Sequence, residues 1–152
     1  MVRVNTYRAE LNADRLPSLV KESGKNYEIP RVIDSQEKAV MVFNEVLNLS
    51  NRAEEVLSML ALDNSRKIIG VFLVSQGTLG CSLVHPREIY KRALLCGASS
   101  IILAHNHPSG ETKPSAQDMK ATQAAKEAGE LMGVPLDDHL VIGLGSYSSL
   151  VH

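Results

Sequence analysis

Two histidines stand one residue apart, at His105 and His107, and the same short segment continues to Ser115 and Asp118. Two imidazoles and a carboxylate are the ligand types that hold a catalytic zinc ion and leave one position open for water. Such an ion makes hydroxide available near neutral pH, and attack on a carbonyl then needs a base to move the proton. These residue types at this spacing imply a metal-dependent hydrolase.

The flanking residues have to position that chemistry. The apolar run 100–104 leads straight into His105 and predicts a short strand. Side chains two apart on a strand point to the same side, so both imidazoles can face one point in space. Pro108, Gly110 and Pro114 keep helix and strand out of 105–114. The chain can then double back and return Asp118 in the first turn of the next helix. Ser115 to Asp118 also fits a helix cap, with Ser at the N-cap and the acid three residues on, and a cap needs no metal. Both roles are compatible. One carboxylate oxygen can meet a metal while the other accepts the Ser115 N–H. The Ser115 hydroxyl can accept a capping bond and still donate to a substrate oxyanion. For the base, Glu54 and Glu55 stand just before the apolar run 56–62. Exposed glutamates at such a place are usually only solvated, so the residues alone leave this role open.

The remaining elements follow from periodicity. Asp34 and Glu37 resemble a capping box before a helix over 35–48. Residues 56–62 and 67–74 read as hairpin-paired strands, with a third strand over 79–84. Pro86 opens a helix that Gly97 ends. The helix from Ser115 has an expected apolar stripe of Ala121, Ala124, Ala125, Ala128, Leu131 and Met132, and Gly133 stops it. Residues 139–142 and 147–151 close the chain as strands. Residues 1–34 are mixed, with Val2, Val4 and Tyr7 in a short strand, and form an extension to a domain over 35–152. The order predicts an α/β fold, an α+β sandwich around one sheet.

Bulk properties narrow the function classes. With 152 residues, 44% apolar and 22% charged, the chain suits one domain with one substantial core. A net charge of −1 does not favour an electrostatic grip on nucleic acid or anionic membrane, although Arg87, Lys91 and Arg92 cluster locally. Cys81 and Cys96 form no Cys-x-x-Cys and are expected as free thiols in a reducing cytoplasm. The first residues carry no apolar signal core, and no stretch reaches membrane-spanning length.

His-x-His, seven residues, Ser, two residues, Asp resembles the JAMM signature of the JAB/MPN+ zinc metalloproteases. The wording His-Asn-His-Pro-Ser-Gly followed by Pro-Ser-x-x-Asp is more narrowly similar to the RadC-type bacterial branch. So are the stretches at 75–79, 84–88 and 138–143. The resemblance runs from about Glu54 to the end. It implies a curved mixed sheet flanked by helices with cytidine-deaminase-like layering. It implies one Zn2+ on His105, His107 and Asp118, with Ser115 supporting the transition state. It also implies a catalytic glutamate at the start of the strand ending in Leu62-Asp63, which counting back places at Glu55, with Glu54 as the fallback. The wider family cleaves peptide and isopeptide bonds, so a peptide or protein substrate is expected. The branch carries a DNA-repair association by name, but residues 1–34 lack the helix-hairpin-helix-like pattern of many RadC-type chains.

Other readings fit less well. His105 to Glu111 also matches a cupin-like His-x-His-x-x-x-Glu, yet Pro108 and Gly110 cut the strand that a cupin would continue. The letters His-Asn-His resemble nucleases that spread their residues over a longer unit. A metal-dependent nuclease would need a basic groove, and a non-catalytic interaction module typically lacks the ligands. His85 reads as a capping or surface residue. His139 reads as a satisfied core histidine, with a supporting role behind the metal as the alternative.

Overall fold

A computed structural model describes residues 1–77 and 84–151. Among these residues a mixed α/β fold forms around one sheet of seven strands, flanked by three α-helices. The strands are β1 (Val2–Leu11), β2 (Pro17–Tyr27), β3 (Glu55–Leu62), β4 (Ile68–Gly77), β5 (Ser100–Asn106), β6 (Leu136–Ile142) and β7 (Tyr147–Ser149). The helices are α1 (Gln36–Leu47), α2 (Pro86–Leu95) and α3 (Ala116–Met132). Spatial order across the sheet is β2-β1-β4-β3-β5-β6-β7.

β5 lies inside this order, antiparallel to β3 and parallel to β6. All seven of its residues are buried, as expected for a strand covered on both faces. Side chains alternate between two cores. Leu57, Met59, Ala61, Ile101 and Leu103 pack with Ile89, Tyr90, Ala93 and Ala125 of α2 and α3. Leu60, Leu62, Ile102, Ala104, Leu140 and Ile142 pack with Ala39, Val42 and Phe43 of α1. Odd-numbered positions of β3 and β5 therefore face α2 and α3, and even-numbered positions face α1.

Several expectations shift. Residues 1–34 contain a long hairpin, β1 with β2, and β1 joins the sheet by a parallel pairing with β4. The helix over 35–48 is present, but its cap is one residue later than expected: Ser35 Oγ accepts the Lys38 N–H. Asp34 instead pairs with Lys38 Nζ at 2.7 Å, and Glu37 accepts the Tyr147 hydroxyl at 2.6 Å. The strand before the histidines does not stop at 104 but runs through His105 and Asn106.

The stripe on α3 also differs. Of the expected residues, Ala125 is buried and Ala121 and Ala128 are half-buried against the core, Thr122 and Gly129 join that face, and Ala124, Met132 and Leu131 (88%) are exposed. Gly129 is needed because a β-carbon there would collide with the Tyr90 hydroxyl, which donates to Ala125 O at 3.1 Å. Apart from Val84, the expected strand over 79–84 lies outside the described residues, as do Cys81 and His152. Cys96 is a half-buried free thiol whose pKa burial pushes up. Among the described residues, no helix is long and apolar enough to cross a membrane.

Candidate metal centre

Strand register assembles the site. Leu57 of β3 pairs with His105 of β5 at the end of an antiparallel ladder, so Glu55, two residues before Leu57, leaves that end on the side where His107 follows His105. Parity then separates the two glutamates, because Glu55 shares a face with Leu57 and His105, and Glu54 does not. Glu54 instead contributes its carbonyl, which accepts from Asn106 Nδ2 at 3.0 Å. The same amide group donates to Arg52 O at 3.3 Å, and Asn106 Oδ1 accepts the Val56 N–H at 2.9 Å. One buried side chain thus holds the backbone on both sides of Glu55.

Glu55, His105, His107 and Asp118 each offer one ligand atom, and these atoms all lie within 4.8 Å of one another. His105 Nε2 and His107 Nε2 are 3.2 Å apart. Asp118 Oδ2 is 3.5 Å from the first and 3.4 Å from the second. For an ion with bonds of about 2.0–2.2 Å, the edge of a ligand tetrahedron is roughly 3.3–3.6 Å. The three atoms therefore stand at the corners of such a tetrahedron, and the two-nitrogen, one-carboxylate donor set suits a divalent transition ion. Glu55 Oε1 is farther out, 4.0 Å from His105 Nε2. Glu55 thus stands at the edge of the cluster that the other three form.

The loop after β5 returns Asp118 as expected. Gly110 takes φ +87°, a conformation that favours glycine, and its N–H donates to His107 O at 2.9 Å. The segment 143–148 braces this loop: Leu144 N–H donates to Gly110 O at 3.1 Å and Ser148 Oγ donates to Thr112 O. Ser115 and Asp118 form a reciprocal capping box on α3. The division between the two carboxylate oxygens is not the expected one. Asp118 Oδ2 both accepts the Ser115 N–H at 3.0 Å and faces the two histidines. Ser115 Oγ accepts the Asp118 N–H at 2.9 Å, and Ser115 itself is exposed.

Electrostatics agree with a cation site. Burial acts to raise the Asp118 pKa, but contact with His105 and the Ser115 N–H outweigh it and hold the carboxyl well below the usual carboxylate range. His105 is 2% exposed, against 19% for His107 and 18% for Asp118, so the cluster opens on one side only.

Residues outside the four complete the arrangement. His139, fully buried on β6, comes within 2.7 Å of His105 Nδ1 through its Nε2 and of Thr122 Oγ1 through its Nδ1. Thr122 Oγ1 donates to Asp118 O at 2.7 Å. Burial pushes the His139 pKa well below the ordinary histidine value. His139 is therefore a direct neighbour of the site, a position that sequence reading rated below a plain core role. Its signal was its parity with Val141 on a strand beside β5. His85 sits exposed at the N-cap of α2 and is not one of the clustered residues.

The chain is similar to known proteins. A UPF0758 protein of Clostridium kluyveri is 42% identical over 120 residues, covering 79% of this chain and 51% of that relative. Others from Pasteurella multocida and Clostridium tetani are 46% and 41% identical over 101 and 129 residues. The chain spans about half the length of these curated relatives. The model of a RadC-like JAB domain matches residues 33–152, a span that contains all four clustered side chains and His139. On that match, and on the relatives that share it, this chain belongs to the RadC-like JAB domain family.

Proposed function

We propose that this chain is a zinc-dependent hydrolase that cleaves an amide-type bond, peptide or isopeptide, in a protein substrate. The observation that carries this reading is the set of 3.2, 3.4 and 3.5 Å separations among His105 Nε2, His107 Nε2 and Asp118 Oδ2, with Glu55 set just outside. His105, His107 and Asp118 would hold Zn2+, one per chain. When bound, the ion supplies Lewis acidity toward water and the substrate carbonyl.

The chain's own residues do the rest. Glu55 Oε1 takes the proton from the attacking water and delivers it to the leaving nitrogen. Asn106 keeps Glu55 at its place by gripping the backbone of residues 52–56. Ser115, with its oxygen already accepting the Asp118 N–H, has its hydroxyl proton free to meet the developing oxyanion. Burial of His105 limits water on the strand side of the site.

Two variants test the reading. Zinc content by elemental analysis is expected near one per chain in the wild type and lost in His107→Ala. Glu55→Gln is expected to keep zinc while hydrolysis of linear and lysine-isopeptide-linked reporter peptides falls by a factor on the order of 10² or more. A wild type without zinc, or a Glu55→Gln variant that loses it, rejects this assignment of roles.

A further inference from the structure

A chain of hydrogen bonds leads from one proposed ligand, through the interior, to the backbone of another. His105 Nδ1 lies 2.7 Å from His139 Nε2, His139 Nδ1 lies 2.7 Å from Thr122 Oγ1, and Thr122 Oγ1 lies 2.7 Å from Asp118 O. His139 is fully buried and Thr122 is 2% exposed, so water does not compete for these groups.

Proton counting fixes the direction of every bond. The Asp118 carbonyl can only accept, so the single Thr122 hydroxyl proton goes to it. Thr122 Oγ1 must then accept, and His139 Nδ1 carries the proton that it receives. A neutral imidazole has one N–H, so His139 Nε2 is bare and accepts from His105 Nδ1. In its neutral form, the form that binds a metal, His105 then has its proton on Nδ1 and a lone pair on Nε2. That Nε2 is the atom 3.2 Å from His107 Nε2 and 3.5 Å from Asp118 Oδ2. In the opposite tautomer an N–H would point into the cluster and exclude a cation.

We infer that Thr122 and His139 are positioning residues that lock His105 in the Nδ1–H tautomer, so that its Nε2 is ready for a metal before any metal arrives. This rests on the proposed metal site, but the lock itself is a property of the metal-free protein. Groups that orient a histidine ligand typically contribute 10–100-fold in metal affinity. Here the orientation comes from a second histidine and a helix hydroxyl rather than from a carboxylate, which keeps extra negative charge away from the site. The chain also ties the strand that carries His105 to the helix turn that carries Asp118.

The direct test is long-range 1H–15N correlation of the histidine rings in metal-free protein near pH 8. Nδ1–H is expected on both His105 and His139. Thr122→Val removes the hydroxyl at nearly constant volume and frees His139 to reverse. Its His105 signals are expected to shift toward Nε2–H, and its zinc affinity to fall about 10–100-fold. Thr122→Ser keeps the hydroxyl and is expected to restore both readouts. An Nε2–H His105 in the wild type overturns the inference, as does a folded Thr122→Val variant with unchanged tautomer and affinity. If the variant does not fold, the wild-type tautomer decides. If the wild type binds no zinc, the proposed hydrolase fails while the tautomer still answers this question.

Discussion

Asn106 Oδ1 accepts the Val56 N–H at 2.9 Å, a side-chain bond that takes the place of a backbone ladder bond just where β3 begins. With its amide group on Arg52 O and Glu54 O, Asn106 satisfies three backbone groups around Glu55. Asn106→Ala leaves those groups without their partner and is expected to cost about 1–3 kcal/mol of stability, read from denaturant unfolding. Zinc binding should survive, because the histidines and Asp118 are held by other contacts. Hydrolysis should fall nonetheless, since Glu55 loses its anchor.

Gly143 is expected to tolerate no side chain. A β-carbon there would strike Gly110 O and Thr112 Cγ2, in the loop between His107 and Asp118. Backbone cannot yield as a flexible side chain does, so Gly143→Ala should cost about 1–3 kcal/mol. The loop shift should also weaken zinc binding. A melting temperature and a zinc affinity both equal to wild type would show that the brace between these loops is dispensable.

Stability should decline in strong alkali through Tyr90. Burial pushes its phenol up to about 12, while the unfolded chain ionises near 10. The folded value lies above the unfolded one, so the stabilisation is complete below about pH 10 and is lost as pH rises toward 12. Tyr90→Phe should flatten that limb of the pH–stability curve, which thermal melts at pH 9 to 11.5 would reveal.

Leu131 offers a test of how α3 is turned. At 88% exposure, Leu131→Ala is expected to change stability by no more than about 0.5 kcal/mol. Ala125, fully buried between α3 and the sheet, should not accept Leu without a cost of about 1–3 kcal/mol from overpacking. A large loss at Leu131 and none at Ala125 would mean that the helix presents the other face.

The site was more legible than its supports. The two-residue period of a strand already aligns His105 with His107, and the capping pattern already brings Asp118 into the first helical turn. Glu55 also follows from parity once Leu57 is known to pair with His105. His139 and Asn106 were not legible in these roles, because their partners depend on which strands become neighbours. Nothing local in residues 136–142 says that they will lie parallel to β5. The face of α3 was legible in Ala121, Ala125 and Ala128 but not in Thr122 and Gly129, for a related reason. Thr122 counts as polar until its hydroxyl finds His139 and Asp118 O, and Gly129 counts as a breaker until Tyr90 needs its space. Of the hairpin β1–β2 only a short strand around Val2, Val4 and Tyr7 was legible, because its half-exposed faces carry Arg, Lys and Glu, which blur the alternation that marks a strand.

β5 is flanked on both sides by hydrogen-bonded strands, while β2 and β7 form the sheet's outer edges. In deuterated solvent the edge amides can open by fraying, and those of Ile101 to His105 are expected to exchange more slowly. Fraying at the rim is therefore expected to leave the buried His105 ring in place. On heating, the loop that carries His107 toward Asp118 should loosen before the strand that carries His105 does.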